Sequence, residues 1–481
     1  MRFRNIIAVL GNIFVMLGLF LGVPLILSLL HHDNAHGAFM FTIAITVGVG
    51  LLMQVRQPRR FNIQRWEAII IVVIGWIGVS LIGALPFQLS GFFPSFLDAI
   101  FESVSGFTTT GASILNDVEA LPISILVWRS MTHWLGGMGI IILALVVLPA
   151  INVGGRNLYT FESSALANEQ ITPKIKDTAR LLWIVYFILT VAATALLLLC
   201  NLSFFDAALT AMATIATGGF SPRNASIAAY GNVWVEIIVV VFMFLSGINF
   251  TLYLQVFRSG GSLRGYSEVL KIYIGLMLVS AAVVVLSIQG GVYPDWRSAL
   301  RYGIFQVVSI NTTTGFVTAD WEEWSAVTHM VLLILMLIGA CPGSTTGAIK
   351  NSRIILLVKS IFREFLQMIH PRVVKVLRLN NRPIDERTIQ NAVIYVGMYL
   401  CVWVVASLAI SASGINLESA FFATATTLGG VGPGLGTLGP TESFVVLSPI
   451  AKIILIACML LGRLEIYSIL IVFTPKFWRE V

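Results

Sequence analysis

Long apolar runs separated by short polar segments follow one another from the first residues of the chain to the last. Residues 6–30, 38–55, 68–85, 123–148 and 181–199 are each long enough for a helix across about 30 Å of hydrocarbon. After an N-terminal pair of runs (residues 1–60), the pattern becomes span, short segment, span. It occurs four times, over 61–155, 156–260, 261–380 and 381–481. Each short segment opens with an apolar stretch carrying one or two acids and ends in a Thr/Gly-rich turn. These turns are SGFTTTGAS (105–113), ATIATGGFSP (213–222), SINTTTGF (309–316) and TATTLGGVGPGLG (424–436). Aligned on their last common glycine, they place Gly111, Gly218, Gly315 and Gly432 at separations of 107, 97 and 117 residues. Two spans, a half-length helix and the joining loops account for such a period. The predicted fold is therefore an all-α polytopic membrane protein, an N-terminal helical hairpin plus four pseudo-symmetric repeats of span, re-entrant P-loop and span around one central pore.

Composition agrees with lipid as the solvent. Of 481 residues, 57% are hydrophobic and 11% charged, more apolar surface than one soluble core could hide. The first run has a basic start, Arg2 and Arg4, but is too long for a signal and is expected to be retained as a span. The four cysteines lie in or against apolar stretches without a CxxC pair, so neither a zinc site nor a disulfide framework is indicated.

The formal net charge of +7 does not imply nucleic acid, because the bases fall in alternate loops. Arg56, Arg59, Arg60 and Arg65; Arg156, Lys174, Lys176 and Arg180; Arg258, Arg264 and Lys271; the stretch 350–387; and Lys476 and Arg479 share one side. The positive-inside rule puts these loops and both termini in the cytoplasm.

Four glycine turns at one phase suggest chemistry that one alone would not. A single such loop is equally ordinary turn chemistry or tight helix packing. Non-helical backbone at membrane depth is tolerated where it lines a watery cavity or is buried in protein. A ring of backbone carbonyls can replace a cation's hydration oxygens without a fixed charge that traps the ion. Glycine suits it, because carbonyls facing one axis require angles that a Cβ resists. The candidate lining is Thr109, Thr110, Gly111, Thr217, Gly218, Thr313, Thr314, Gly315, Val431 and Gly432. The threonine hydroxyls either join the ion ligands or hold the turn backbone; the sequence leaves both open.

Two features interrupt the spans. In LIGACPGSTTGAIK, Gly343, Ser344, Thr345, Thr346 and Gly347 (within a loop at 341–348) form a candidate gate below the turns, with a tolerated kink as the alternative. It is no phosphate loop, since Ala348 rather than Lys follows Gly347. Arg463 lies deep in the last apolar run and is expected either as an electrostatic barrier in a cation path or as the partner of a buried acid.

Arg129 and Lys452 sit near span ends and are expected to snorkel. Outer-side acids, among them Asp98, Glu102, Asp206, Glu322 and Glu442, would together concentrate cations at the mouth, while each taken singly is read as solvated; His133 and His329 are read as interfacial. No HExxH, GxSxG or Cys/His constellation suggests an enzyme. A sodium- or proton-coupled symporter is the rival transport reading, disfavoured because the repeats run parallel and, Arg463 apart, the spans show few ionisable residues.

These motifs, with HWLGGMGI (133–140), ATGGFSP, VGPGLG and LLGRLEIY, closely resemble the Trk/Ktr/HKT superfamily of potassium transporters, specifically its bacterial TrkH type, over essentially the whole chain. The resemblance implies potassium uptake across the bacterial inner membrane through a gated pore. It implies that the four aligned glycines form the filter, that 343–347 gates and that Arg463 is the pore arginine. It further implies a homodimer working with a cytosolic TrkA-type subunit, which carries the regulatory nucleotide (ATP/ADP or NAD/NADH). Potassium is the transported ligand, and no covalent cofactor is implied. The basic stretches 154–180 and 350–387 are the expected docking regions, alongside contact with anionic lipid. Gly111 points to potassium rather than sodium, while the fourth turn, with Leu428, Gly429 and Gly430 before Val431, departs from the Thr-rich pattern.

Overall fold

The computed structural model describes residues 3–55, 64–139, 175–259, 267–380 and 382–480. The expected repeat boundaries near 60, 155 and 260, the end of the apolar run 123–148, and Arg56, Arg59, Arg60, Arg156, Lys174 and Arg264 lie outside them.

Among the described residues, six helices are long and apolar enough to cross a membrane: Phe3–His31, His36–Gln54, Arg65–Leu89, Ile175–Leu199, Ser267–Ile288 and Glu386–Ala412. Their outward faces carry exposed leucines, such as Leu19, Leu52 and Leu199 at 72%, 74% and 79% exposure. So much apolar surface facing outward suits a chain solvated by lipid. The first two helices form a hairpin that crosses at small residues. A β-carbon at Gly11 would lie 2.7 Å from the carbonyl oxygen of Gly50, so the glycines let the two backbones approach.

Four shorter helices precede the glycine turns: Phe96–Phe107, Phe204–Ala216, Trp296–Asn311 and Leu417–Gly429. At about 1.5 Å per residue they are roughly 18–24 Å long, too short to span. Each starts at a side chain that accepts a backbone N–H three residues on. Ser95 caps at Asp98, Ser203 at Asp206, Asp295 at Ser298 and Asn416 at Ser419. These caps fix where each half-helix begins and so how deep its C-terminus reaches.

Three of the helices after the turns are broken, one of them at the Pro342–Gly343 interruption expected from sequence. Val233–Ser246 breaks at Gly247–Asn249 before Phe250–Ser259. Ala326–Leu337 is separated from Asn351–Ile369 by the Pro342–Gly343 loop. Pro449–Arg463 meets Ile466–Val472 at 114°, with Glu465 at φ +55° in the bend. The loop's ends are held by a two-residue parallel pairing, Ile338 with Ile349 and Gly339 with Lys350, so backbone freed by the break is bonded again.

Candidate functional site

The four turns share one backbone course. Beyond each half-helix, a residue at positive φ is followed by one whose N–H returns five residues into the helix, and then by a glycine at positive φ. The first residues are Thr109, Thr217, Thr313 and Gly430, at +55°, +53°, +53° and +67°. The returning N–H groups are Thr110 to Ser105 (2.9 Å), Gly218 to Ala213 (2.9 Å), Thr314 to Ser309 (2.8 Å) and Val431 to Thr426 (2.8 Å). The closing glycines are Gly111, Gly219, Gly315 and Gly432, at +83°, +84°, +79° and +110°. This conformation favours glycine. The second turn is thus one residue out of the register expected from sequence. Gly219 matches Gly111, and Gly218 stands where the others carry Thr110, Thr314 and Val431.

The turns meet head to tail in a closed cycle. A β-carbon on Gly111 would overlap the carbonyl oxygen of Gly218, one on Gly219 that of Thr314, and one on Gly315 that of Val431. One on Gly432 would lie 2.8 Å from the carbonyl oxygen of Thr110. All ten lining residues named from sequence belong to these four turns, and Gly219 joins them. The hydroxyls of Thr108, Thr109, Thr217 and Thr312 each reach a carbonyl of their own turn or helix end at 2.7 Å. Holding the backbone is therefore one job these threonines do.

The loop at 341–348 and Arg463 touch the first residue of the turns. Gly347 N–H donates to Thr313 Oγ1 at 2.8 Å. The hydroxyls of Thr345 and Thr217 lie 3.2 Å apart. The Arg463 guanidinium donates to Thr109 Oγ1 (3.3 Å), the Thr345 carbonyl (3.0 Å) and the carbonyls of Gly136 and Gly137. Gly347 also packs against the Gly429 carbonyl, which leaves no room for a side chain. Gly343 lies apart from the turns: it faces Asn249, and its carbonyl accepts from Phe250 N–H. Ser344 bonds within the loop, to the Cys341 carbonyl at 2.6 Å, and Thr346 is held by Lys350. Glu465, two residues from Arg463, pairs instead with Arg353 at 2.8 Å.

On the other side of the turns, Gly111, Gly219, Gly315 and Gly432 line the floor of a cavity of about 320 Å³. Glu442 is the acid among its lining residues, with Arg129 and Arg223 as bases. Several outer acids expected as solvated are instead committed to partners. Asp206 pairs with Arg223 at 2.7 Å, which raises the Arg223 pKa. Glu322, half-buried, has its carboxyl pushed above the ordinary value by desolvation and by Asp320 and Glu442.

Both bases expected to snorkel are buried. Lys452 pairs with Asp98 at 2.7 Å, and Arg129 with Glu102 at 2.6 Å. Neither pair was legible from spacing, since the partners sit on different elements. His133 is not interfacial but fully buried. Its Nδ1 lies 2.8 Å from the Gly106 carbonyl and its Nε2 accepts from Phe220 N–H at 3.2 Å, which fixes a neutral ring with its proton on Nδ1. His133 thereby ties the first half-helix to the second turn. The helices also bury Glu67 and Glu236, each in the first turn of its helix rather than at mid-span.

A family profile described as "TrkH: Cation transport protein" matches residues 31–480. The Trk system potassium uptake protein TrkH of Escherichia coli K12 is 37% identical over the whole of both chains. TrkG of the same strain is 32% identical over 95% of each. The crystal structure of the potassium transporter TrkH from Vibrio parahaemolyticus superposes with a TM-score of 0.89, at 34% identity and full coverage of both chains. On this agreement of profile, sequence and fold, the chain belongs to the TrkH family of cation transport proteins.

Proposed function

We propose that this protein carries potassium into the cell across the bacterial inner membrane, through the axis of the four turns, as a gated channel-like path. The closed cycle of turns carries this reading. Thr110, Gly218, Thr314 and Val431 each place their carbonyl against the glycine of the preceding turn, so that the four close on one another, an arrangement suited to replacing a cation's water. Four half-helices end there, so their partly negative C-termini add attraction for a cation. The four repeats, 61–155, 156–260, 261–380 and 381–481, supply one quarter each.

Thr345 and Gly347 bear on the turns from below, and the Arg463 charge sits at the same level. This supports reading 343–347 as a gate in its closed position and Arg463 as a barrier that keeps the ion from lingering. The relatives' names place them in a Trk system, which supports a protein that works with partners; we take these to be a cytosolic nucleotide-binding TrkA-type subunit and a second copy of the chain, with the termini cytoplasmic.

The competing reading is a sodium- or proton-coupled symporter, favoured by the buried acids Glu67 and Glu236. Each has a partner, however: Glu67 accepts from Gln64 N–H at 2.8 Å, and Glu236 pairs with Arg301 at 2.6 Å. Voltage-clamped proteoliposomes separate the two. Potassium influx should follow its own electrochemical gradient; uphill influx driven solely by an imposed sodium or proton gradient refutes the channel reading.

A further inference from the structure

We infer that Glu102 and Arg129, neither of them a ring residue, form a positioning pair that sets the outer geometry of the first two turns and with it the choice between potassium and sodium. The inference rests on the filter reading above. Glu102 lies on the first half-helix with no exposed surface, and Arg129 on the following helix is 3% exposed. One carboxylate oxygen of Glu102 takes the Arg129 Nε at 2.6 Å. Beyond Gly111, the same carboxylate receives the Ser113 hydroxyl at 3.0 Å and the Ile114 N–H at 3.0 Å. Arg129 donates onward to the Ser221 carbonyl at 3.0 Å, and its guanidinium lies 3.6 Å over the Phe220 ring. Ser113 and Ser221 each stand two residues past their closing glycine, so one ion pair holds the same point of two neighbouring turns.

The third quarter does a similar job without charge. Gln306 stands nine residues before Gly315, as Glu102 stands nine before Gly111. Its amide donates to the Thr318 hydroxyl at 3.3 Å, and Thr318 matches Ile114 in register. The fourth quarter has Ala423 there, so the backing is graded around the ring. A guanidinium fork engages two acceptors in fixed geometry, and a buried pair that loses one partner leaves the other charge uncompensated. The pair's charges cancel, so it can stiffen the turns without adding net charge to the cavity above the ring.

The test uses the full-length protein in planar bilayers, reading the reversal potential with potassium on one side and sodium on the other. Glu102→Gln copies the arrangement already present at Gln306, and Ser113→Ala removes a single hydroxyl as the mildest change. The potassium preference should fall by about fivefold in Glu102→Gln, the scale of one disturbed buried hydrogen bond, and in the same direction in Ser113→Ala. Glu102→Gln should also conduct less, because Arg129 is left charged beside the cavity; Glu102→Gln with Arg129→Gln should recover conductance but not selectivity. A purely structural role predicts lower yield and Tm at unchanged relative permeability. Folded Glu102→Gln and Ser113→Ala with unaltered reversal potentials overturn the inference. Gly315→Ser, measured alongside, separates the two failures: if it shifts the potential and Glu102→Gln does not, only the positioning pair falls.

Discussion

Gly315→Ser probes the proposed path most directly. Its φ of +79° lies where a residue bearing a Cβ is strained by about 1–2 kcal/mol. The new β-carbon would overlap the Val431 carbonyl oxygen and come within 2.9 Å of Pro433 Cδ. The least costly relief is to swing the Val431 carbonyl away, which removes or re-aims one ligand of the ring. A change of about 1.4 kcal/mol in the relative stabilisation of potassium and sodium is tenfold in selectivity. For a monovalent ion that is a shift of about 59 mV. The expected result in planar bilayers is a reversal potential moved toward sodium by tens of millivolts, with the variant still inserted. Gly111→Ser, which meets the Gly218 carbonyl in the same way, should shift it in the same direction. Unchanged potentials in both folded variants would refute the assignment of these glycines to a filter.

Deleting Gly343 to Gly347 should raise potassium flux in proteoliposomes, because it removes the contacts of Thr345 and Gly347 with the turns; lower flux from folded protein would mark the loop as a structural kink. Lys452→Met leaves Asp98 charged and buried, a loss of about 3–5 kcal/mol. It should appear as a large drop in Tm in detergent, partly recovered by adding Asp98→Leu; no drop would show that the pair contributes little. Burial raises the Glu322 pKa in the folded protein, so its ionised form opposes folding once the pH exceeds the ordinary carboxylate value. Glu322→Gln should therefore raise Tm at neutral pH, with the gain fading as the pH falls below about 4.5; a gain that persists in acid would contradict that origin.

The turns were legible because Thr/Gly clusters between apolar runs recur at one spacing, and backbone that needs positive φ leaves glycine as its trace. The one-residue slip in the second turn arises where that trace is ambiguous. In ATGGF two glycines stand together, and only the fold tells which takes φ of +84°. The break at Pro342–Gly343 announced itself through residues that cannot continue a helix. Those at Gly247 and Glu465 did not, since SGIN and RLEI read as apolar span with ordinary punctuation. Arg129 and Lys452 were misplaced for a different reason. Distance from a span's end in sequence says whether a long side chain can reach water, not whether an acid waits on a neighbouring half-helix. His133 likewise gave no signal, as its two partners, one on the first half-helix and one in the second turn, are backbone atoms.

The cycle of turns closes only where Gly432, near the end of the chain, reaches Thr110, near its start. During synthesis the first three quarters are inserted before the last one exists, and the nascent protein has a fissure where the fourth wall belongs. If the turns are the proposed filter, ion selectivity is acquired late, when the final turn seats. On that reading, a chain cut short before Gly432 has three walls of the filter and no fourth, and completeness of the C-terminal quarter becomes a condition for discriminating ions at all.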